Sequence, residues 1–164
     1  MDPRLKAFED LLDVMDRLRA ECPWDKKQTI ASLRKLTIEE TYELSDAIIV
    51  DDLVAIKEEL GDIMLHLIFY SKIASEQNAF DITDVLTSIK EKLIYRHPHI
   101  YGNTIVADEE EVARNWEALK MKEGKKSVLE GVPRSMAPMV KAQRIQEKVK
   151  SVGFDWENKD IRDM

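Results

Sequence analysis

The sequence predicts an all-α protein, a helical bundle built on an antiparallel helix hairpin, and three observations carry that expectation. Apolar residues recur at three- and four-residue steps along most of the chain, the spacing of amphipathic helices. Five glycines and five prolines among 164 residues fall well below the usual ~12% for the two together, while charged residues reach 35% against a usual ~25%. Only Asp51-Asp52 separates two long periodic stretches, and so short a link forces the flanking helices to lie antiparallel and adjacent.

Each element has its own signal. Leu5, Phe8, Leu11, Leu12, Met15 and Leu18 predict a first helix from Pro3 to about Glu21, ended near Cys22-Pro23. The aperiodic stretch Cys22-Pro23-Trp24-Asp25-Lys26-Lys27-Gln28-Thr29 reads as a loop. Thr37-Ile38-Glu39-Glu40 matches a capping box and predicts a second helix from Thr37 to about Val50. After Asp51-Asp52, a third helix follows Leu53, Ile56, Leu60, Ile63, Met64, Leu67, Ile68 and Ile73 to about Gln77. Asp81 or Thr83 caps a fourth, with Val85, Leu86, Ile89 and Leu93 apolar, which Pro98 stops. Residues 98–108 read as a loop, a charged fifth helix runs from Asp108 to about Glu123, and Gly124, Gly131 and Pro133 mark a turn. A last helix is expected from about Ser135 to Ser151, ending at Gly153-Phe154-Asp155-Trp156.

Composition narrows the function. A 19.0 kDa chain with 44% hydrophobic residues can bury one sizeable core. The net charge of −7 repels nucleic acid and anionic membrane, so neither is expected as a partner. A single cysteine, Cys22, forms no internal disulfide and suits a reducing compartment, and no apolar run approaches the ~18 residues of a membrane span. A cytoplasmic protein is expected.

The chemistry concentrates on the hairpin. Glu40 and Glu43 are three apart on the second helix, Glu59 and Asp62 three apart on the third, so each pair shares a helix face. Counted from the turn at ~1.5 Å per residue, Glu43 and Glu59 both lie ~11 to 12 Å away and Glu40 and Asp62 ~15 to 17 Å away, so four acids converge at one level. Such a group repels itself and raises its own pKa values unless cations neutralise it. An all-oxygen donor set favours Mg²⁺, with Mn²⁺ the alternative. Gly61 leaves room for a neighbour or substrate to approach. The same spacing also suits ordinary solvated helix faces. A di-iron carboxylate bundle would require Glu-x-x-His on its helices, whereas Glu43 and Asp62 stand at those positions; His66 reads as a core or supporting histidine rather than a ligand.

Glu39-Glu40-Thr41-Tyr42-Glu43 followed by Glu59-Leu60-Gly61-Asp62 resembles the Glu-Glu-x-x-Glu…Glu-x-x-Asp signature of the all-α nucleoside triphosphate pyrophosphohydrolases. With Cys22-Pro23-Trp24-Asp25-Lys26-Lys27-Gln28-Thr29, Arg96-His97-Pro98-His99 and Val152-Gly153-Phe154-Asp155-Trp156, the chain is similar over nearly its whole length to the MazG branch. The resemblance implies Mg²⁺-dependent hydrolysis of a nucleoside triphosphate to monophosphate and pyrophosphate, in a house-cleaning role against non-standard or excess nucleotides. It implies Glu40, Glu43, Glu59 and Asp62 as metal ligands, with Glu39 beside them supporting the ligands or activating water. It implies Lys92 and Arg96 as phosphate contacts, Trp116 near the base, and Trp24 as a cover for the nucleotide or a packing residue of its loop. Spacing alone favours the other readings, Lys92 and Arg96 as surface cations and Trp116 as a core anchor.

Two-module MazG proteins carry a second acidic signature after the Gly-Phe-Asp-Trp segment, which this sequence lacks. The expectation is one module over residues 1–123, with 124–164 a linker and helix resembling the start of a second, as a natural short form or a truncation. The competing reading is a catalytically weak helical module that binds metal or nucleotide and serves to dimerise or dock a partner. Leu53, Ile56, Leu60, Ile63, Leu67, Phe69 and Tyr70 cover more of the third helix than one neighbour buries, so a homodimer with a four-helix core is expected.

Overall fold

The computed structural model describes residues 2–124 and 127–150, and its regular elements there are all helical: α1 (Pro3–Glu21), α2 (Ile30–Ile49), α3 (Leu53–Glu76), α4 (Ile82–Arg96), α5 (Pro98–Tyr101), α6 (Glu109–Lys122) and α7 (Pro138–Lys150), with a 3₁₀ turn at Asp25–Lys27. The expected all-α class is observed. The Gly153-Phe154-Asp155-Trp156 segment and Ser151 lie outside the described residues. The chain forms two compact units, Met1–Ile89 and Lys90–Met164.

In the first unit, α2 and α3 form the hairpin and α1 packs on α3. Asp51 takes the left-handed conformation, φ 57°, that turns the chain, and Asp52 Oδ1 accepts from Val54 N at 3.0 Å and Ala55 N at 3.1 Å to start α3. The core between α1, α2 and α3 is Met15, Leu33, Ile68, Phe69 and Ile73, flanked by Phe8, Leu11, Leu12, Leu36, Leu65, Tyr70 and Ile82. Phe69, expected on the outward face of the third helix, is therefore an internal core residue. Leu53, Leu60 and Leu67 stay exposed at 73%, 53% and 46%.

Helix α2 begins about two turns before the expected Thr37. Thr29 is the N-cap: its Oγ1 accepts from Ser32 N at 3.1 Å while Ser32 Oγ accepts from Thr29 N at 2.9 Å. This earlier reciprocal cap wins because it lets Leu33 and Leu36 turn inward as helical core residues. Thr37 becomes an interior position whose Oγ1 donates to Leu33 O or pairs with Tyr70 OH, at 3.2 and 2.6 Å.

Asp81, rather than Thr83, caps α4: its Oδ1 accepts from Thr83 N at 2.7 Å and Asp84 N at 3.1 Å, and Asp84 Oδ2 accepts from Asp81 N at 3.0 Å. Within the second unit, the expected 98–108 loop holds the one-turn helix α5, because Pro98 ends α4 yet suits the first position of a new turn. Asp108 caps α6 through Glu111 N at 2.8 Å. Helix α7 starts at Pro138, later than expected, again with proline in its first turn.

Candidate metal-binding site

The hairpin delivers three of the four expected acids to one point. Carboxylate oxygens of Glu40 and Glu43 from α2 and Glu59 from α3 all lie within 4.8 Å of one another. Glu40 and Glu59 are half-buried and Glu43 is exposed. Asp62 is exposed and outside this tight group, yet its charge acts on both Glu40 and Glu59. Glu39 is also exposed and adds to the negative field at Glu40.

Electrostatics mark the group as under-neutralised. Burial, followed by repulsion from Glu43, Asp62, Glu59 and Glu39, holds the Glu40 carboxyl above the usual range. Burial and then Glu43 and Asp62 do the same to Glu59. Glu59 Oε2 is shut from solvent and accepts no hydrogen bond, an arrangement that disfavours the anion unless a cation reaches it. Three clustered carboxylates, one with an orphaned buried oxygen and none opposed by lysine or arginine among these interactions, fit a hard divalent cation.

Around this group, His66 is buried at 6% exposure, its Nδ1 has no partner, and burial lowers its pKa while Asp62 opposes the shift. A neutral histidine one turn from Asp62 results, as expected for a core position. Among the described residues, a Cβ at Gly61 would meet nothing within 4 Å beyond its own stretch of helix.

The remaining candidates divide by environment. Trp24 is 54% exposed on a loop braced from behind: Arg19 Nη1 donates to Asp25 O and, at 3.0 Å, to Gln28 O, while its Nε and Nη2 both bond Glu76 at 2.9 Å. In the second unit Lys92 is exposed, whereas Arg96, one turn on, is 8% exposed. Arg96 is bound by both oxygens of Glu123 and lies 5.3 Å from the Trp116 ring centre. Trp116 is half-buried, with the His97 ring edge-on at 4.9 Å. Sequence reasoning missed Arg19 and Glu123, since their partners lie 57 and 27 residues away and no local spacing reveals such pairs.

Comparison with known proteins agrees with the geometry. The MazG nucleotide pyrophosphohydrolase domain matches residues 28–101, which include all four acids. The chain is 39% identical over 159 residues to the nucleoside triphosphate pyrophosphohydrolase of Escherichia coli K12, covering 93% of this chain and 60% of that protein. It is 42% identical over 156 residues to the nucleoside triphosphate pyrophosphohydrolase/pyrophosphatase MazG of Thermotoga maritima, covering 92% and 60%. The chain thus spans about three-fifths of the length of these relatives. The crystal structure of a MazG-related protein from Thermotoga maritima superposes with a TM-score of 0.60 at 26% identity, covering 69% of this chain and 98% of that one. On this sequence, fold and acid cluster, the chain belongs to the MazG family.

Proposed function

We propose that the protein is a nucleoside triphosphate pyrophosphohydrolase, converting a nucleoside or deoxynucleoside triphosphate and water to the monophosphate and pyrophosphate. The observation that carries this reading is the trio Glu40, Glu43 and Glu59, drawn from two helices into one self-repelling group with a buried, unpaired oxygen. The names of the relatives support it. The assigned module covers residues 1–123.

In this reading Glu40, Glu43, Glu59 and Asp62 hold Mg²⁺, or Mn²⁺ in its place. The bound cation supplies charge neutralisation for phosphate oxygens and acidifies water near neutral pH. Glu39, exposed and adding to the negative field at Glu40, is the group assigned to accept a proton from an attacking water. Lys92 and Arg96 are assigned to phosphate oxygens, Trp116 to the neighbourhood of the base, and Trp24 to covering the nucleotide. No protein nucleophile is needed, which leaves Cys22 without a catalytic role. The exposed apolar side chains Ile38, Leu53, Leu60, Met64 and Leu67 of α2 and α3 suit burial against a second copy, giving a homodimer with a four-helix core. The −7 charge and the absence of a long apolar helix among the described residues suit a cytoplasmic nucleotide enzyme acting on neither membrane nor nucleic acid.

A substrate panel run with and without Mg²⁺, with the phosphate products resolved, tests the reading. Monophosphate and pyrophosphate should form only with the cation, and Glu43→Ala or Asp62→Ala should abolish turnover. Release of orthophosphate and diphosphate would refute it.

A further inference from the structure

The second unit holds a contact that the proposed reaction does not use. Arg96 Nε donates to Glu123 Oε1 at 2.8 Å and its Nη2 donates to Glu123 Oε2, a two-pronged pairing of guanidinium and carboxylate. We propose that Glu123 is an internal latch, a carboxylate that occupies Arg96 in the nucleotide-free protein and is displaced by the triphosphate as substrate binds. The inference rests on the assignment of Arg96 to phosphate contact made above.

Several observations make Glu123 the partner that yields. The Arg96 side chain is 8% exposed and packed against Trp116, whereas that of Glu123 is 30% exposed. Arg96 closes α4, two residues before Pro98 opens the next turn, so its backbone is held on both sides. Glu123 instead caps the C-terminus of α6, with its own N–H bonded to Leu119 O at 3.2 Å, and is followed by Gly124 at φ 93°.

The chemistry of exchange is matched. A phosphate offers guanidinium the same pair of oxygens as a carboxylate and carries more negative charge, so it competes for the same donors. A buried arginine without any anion is strongly disfavoured, so the latch keeps Arg96 folded inward and neutralised until polyphosphate arrives. The cost is affinity, because every substrate must first displace Glu123. Glu117, whose charge also reaches Arg96, is bonded to Lys120 and so does not take Glu123's place.

The test uses the full chain with Mg²⁺, dATP as substrate and inorganic pyrophosphate as inhibitor. Glu123→Gln removes the charge while keeping the shape, and should lower both KM and the pyrophosphate inhibition constant at least fivefold. Glu123→Asp, which keeps the charge on a shorter arm, should fall between Gln and the parent. A purely structural pair would instead loosen α6 and raise KM. An unchanged or raised KM in Glu123→Gln, in protein that retains its helical circular dichroism, overturns the latch. Arg96→Lys separates the two assignments: if it raises KM in the parent and cancels the gain in the Glu123→Gln background, both stand. If it leaves the parent's KM unchanged, the phosphate role of Arg96 falls and the latch with it.

Discussion

Tyr70 OH lies 2.6 Å from Thr37 Oγ1, tying the start of the acid-bearing part of α2 to the far half of α3. Thr37 precedes Glu40 by less than one turn and Tyr70 follows Asp62 by about two, so the bond fixes the register of the two helices that carry the cluster. Tyr70→Phe should cost about 1 kcal/mol, or roughly 2 to 4 °C in melting temperature, and should weaken Mg²⁺ activation as well. Thermal melts and Mg²⁺ titrations of activity on the same preparation check both effects.

The acid cluster sets stability against function. Because Glu40 and Glu59 are held above their usual pKa by burial and mutual repulsion, removing one charge relieves the metal-free fold. Glu59→Gln should raise the melting temperature in EDTA while lowering turnover by about a hundredfold or more. A melt showing destabilisation in EDTA would mean that the anion is already compensated within the chain.

Divalent cations should stabilise the parent and not that variant. A ligand that binds only the native state adds stability with the logarithm of its concentration, about 2.7 kcal/mol at a hundred times its dissociation constant. Melts across a Mg²⁺ series should therefore rise for the parent and stay flat for Glu59→Gln.

The brace behind the Trp24 loop gives a pH signature. The hydrogen bond from Arg19 holds the Glu76 carboxyl below its usual range. A depressed folded-state value contributes stability that is present above the unfolded carboxyl pKa of about 4.3 and lost as pH falls through the folded value. With Glu76 38% exposed, solvent screening limits the pair to about 0.5 to 1 kcal/mol. Glu76→Gln should lower the melting temperature by about 1 to 4 °C at pH 7, and the gap should close below the folded pKa.

Leu33 is fully enclosed between α1, α2 and α3. Leu33→Ala should cost about 2 to 5 kcal/mol, a large share of a typical domain's 5 to 15, and urea unfolding should report it as an early midpoint.

Local signals in the sequence identify most helices and the hairpin: the apolar spacing, the Asp52 and Asp108 caps and the Pro98 stop all act over a few residues. Counting from the Asp51-Asp52 turn expects four acids together, and three of them, Glu40, Glu43 and Glu59, meet, while Asp62, counted level with Glu40, stays outside the tight group. The start of α2 was less legible, since Thr29-Ser32 and Thr37-Glu40 are both plausible caps and only burial of Leu33 decides between them. The surroundings of Arg96 were not legible at all. Its carboxylate partner is 27 residues away on another helix, and the pairing depends on packing that no spacing rule encodes.

The tight reversal at Asp51-Asp52 works as a fixed gauge for the charges beyond it. One extra residue on either arm would swing its acids through about 100° and slide them ~1.5 Å, scattering the trio. Tuning of this centre is therefore confined to side-chain reach, aspartate for glutamate or the reverse, and a lengthened reversal should forfeit cation binding while leaving both helices intact.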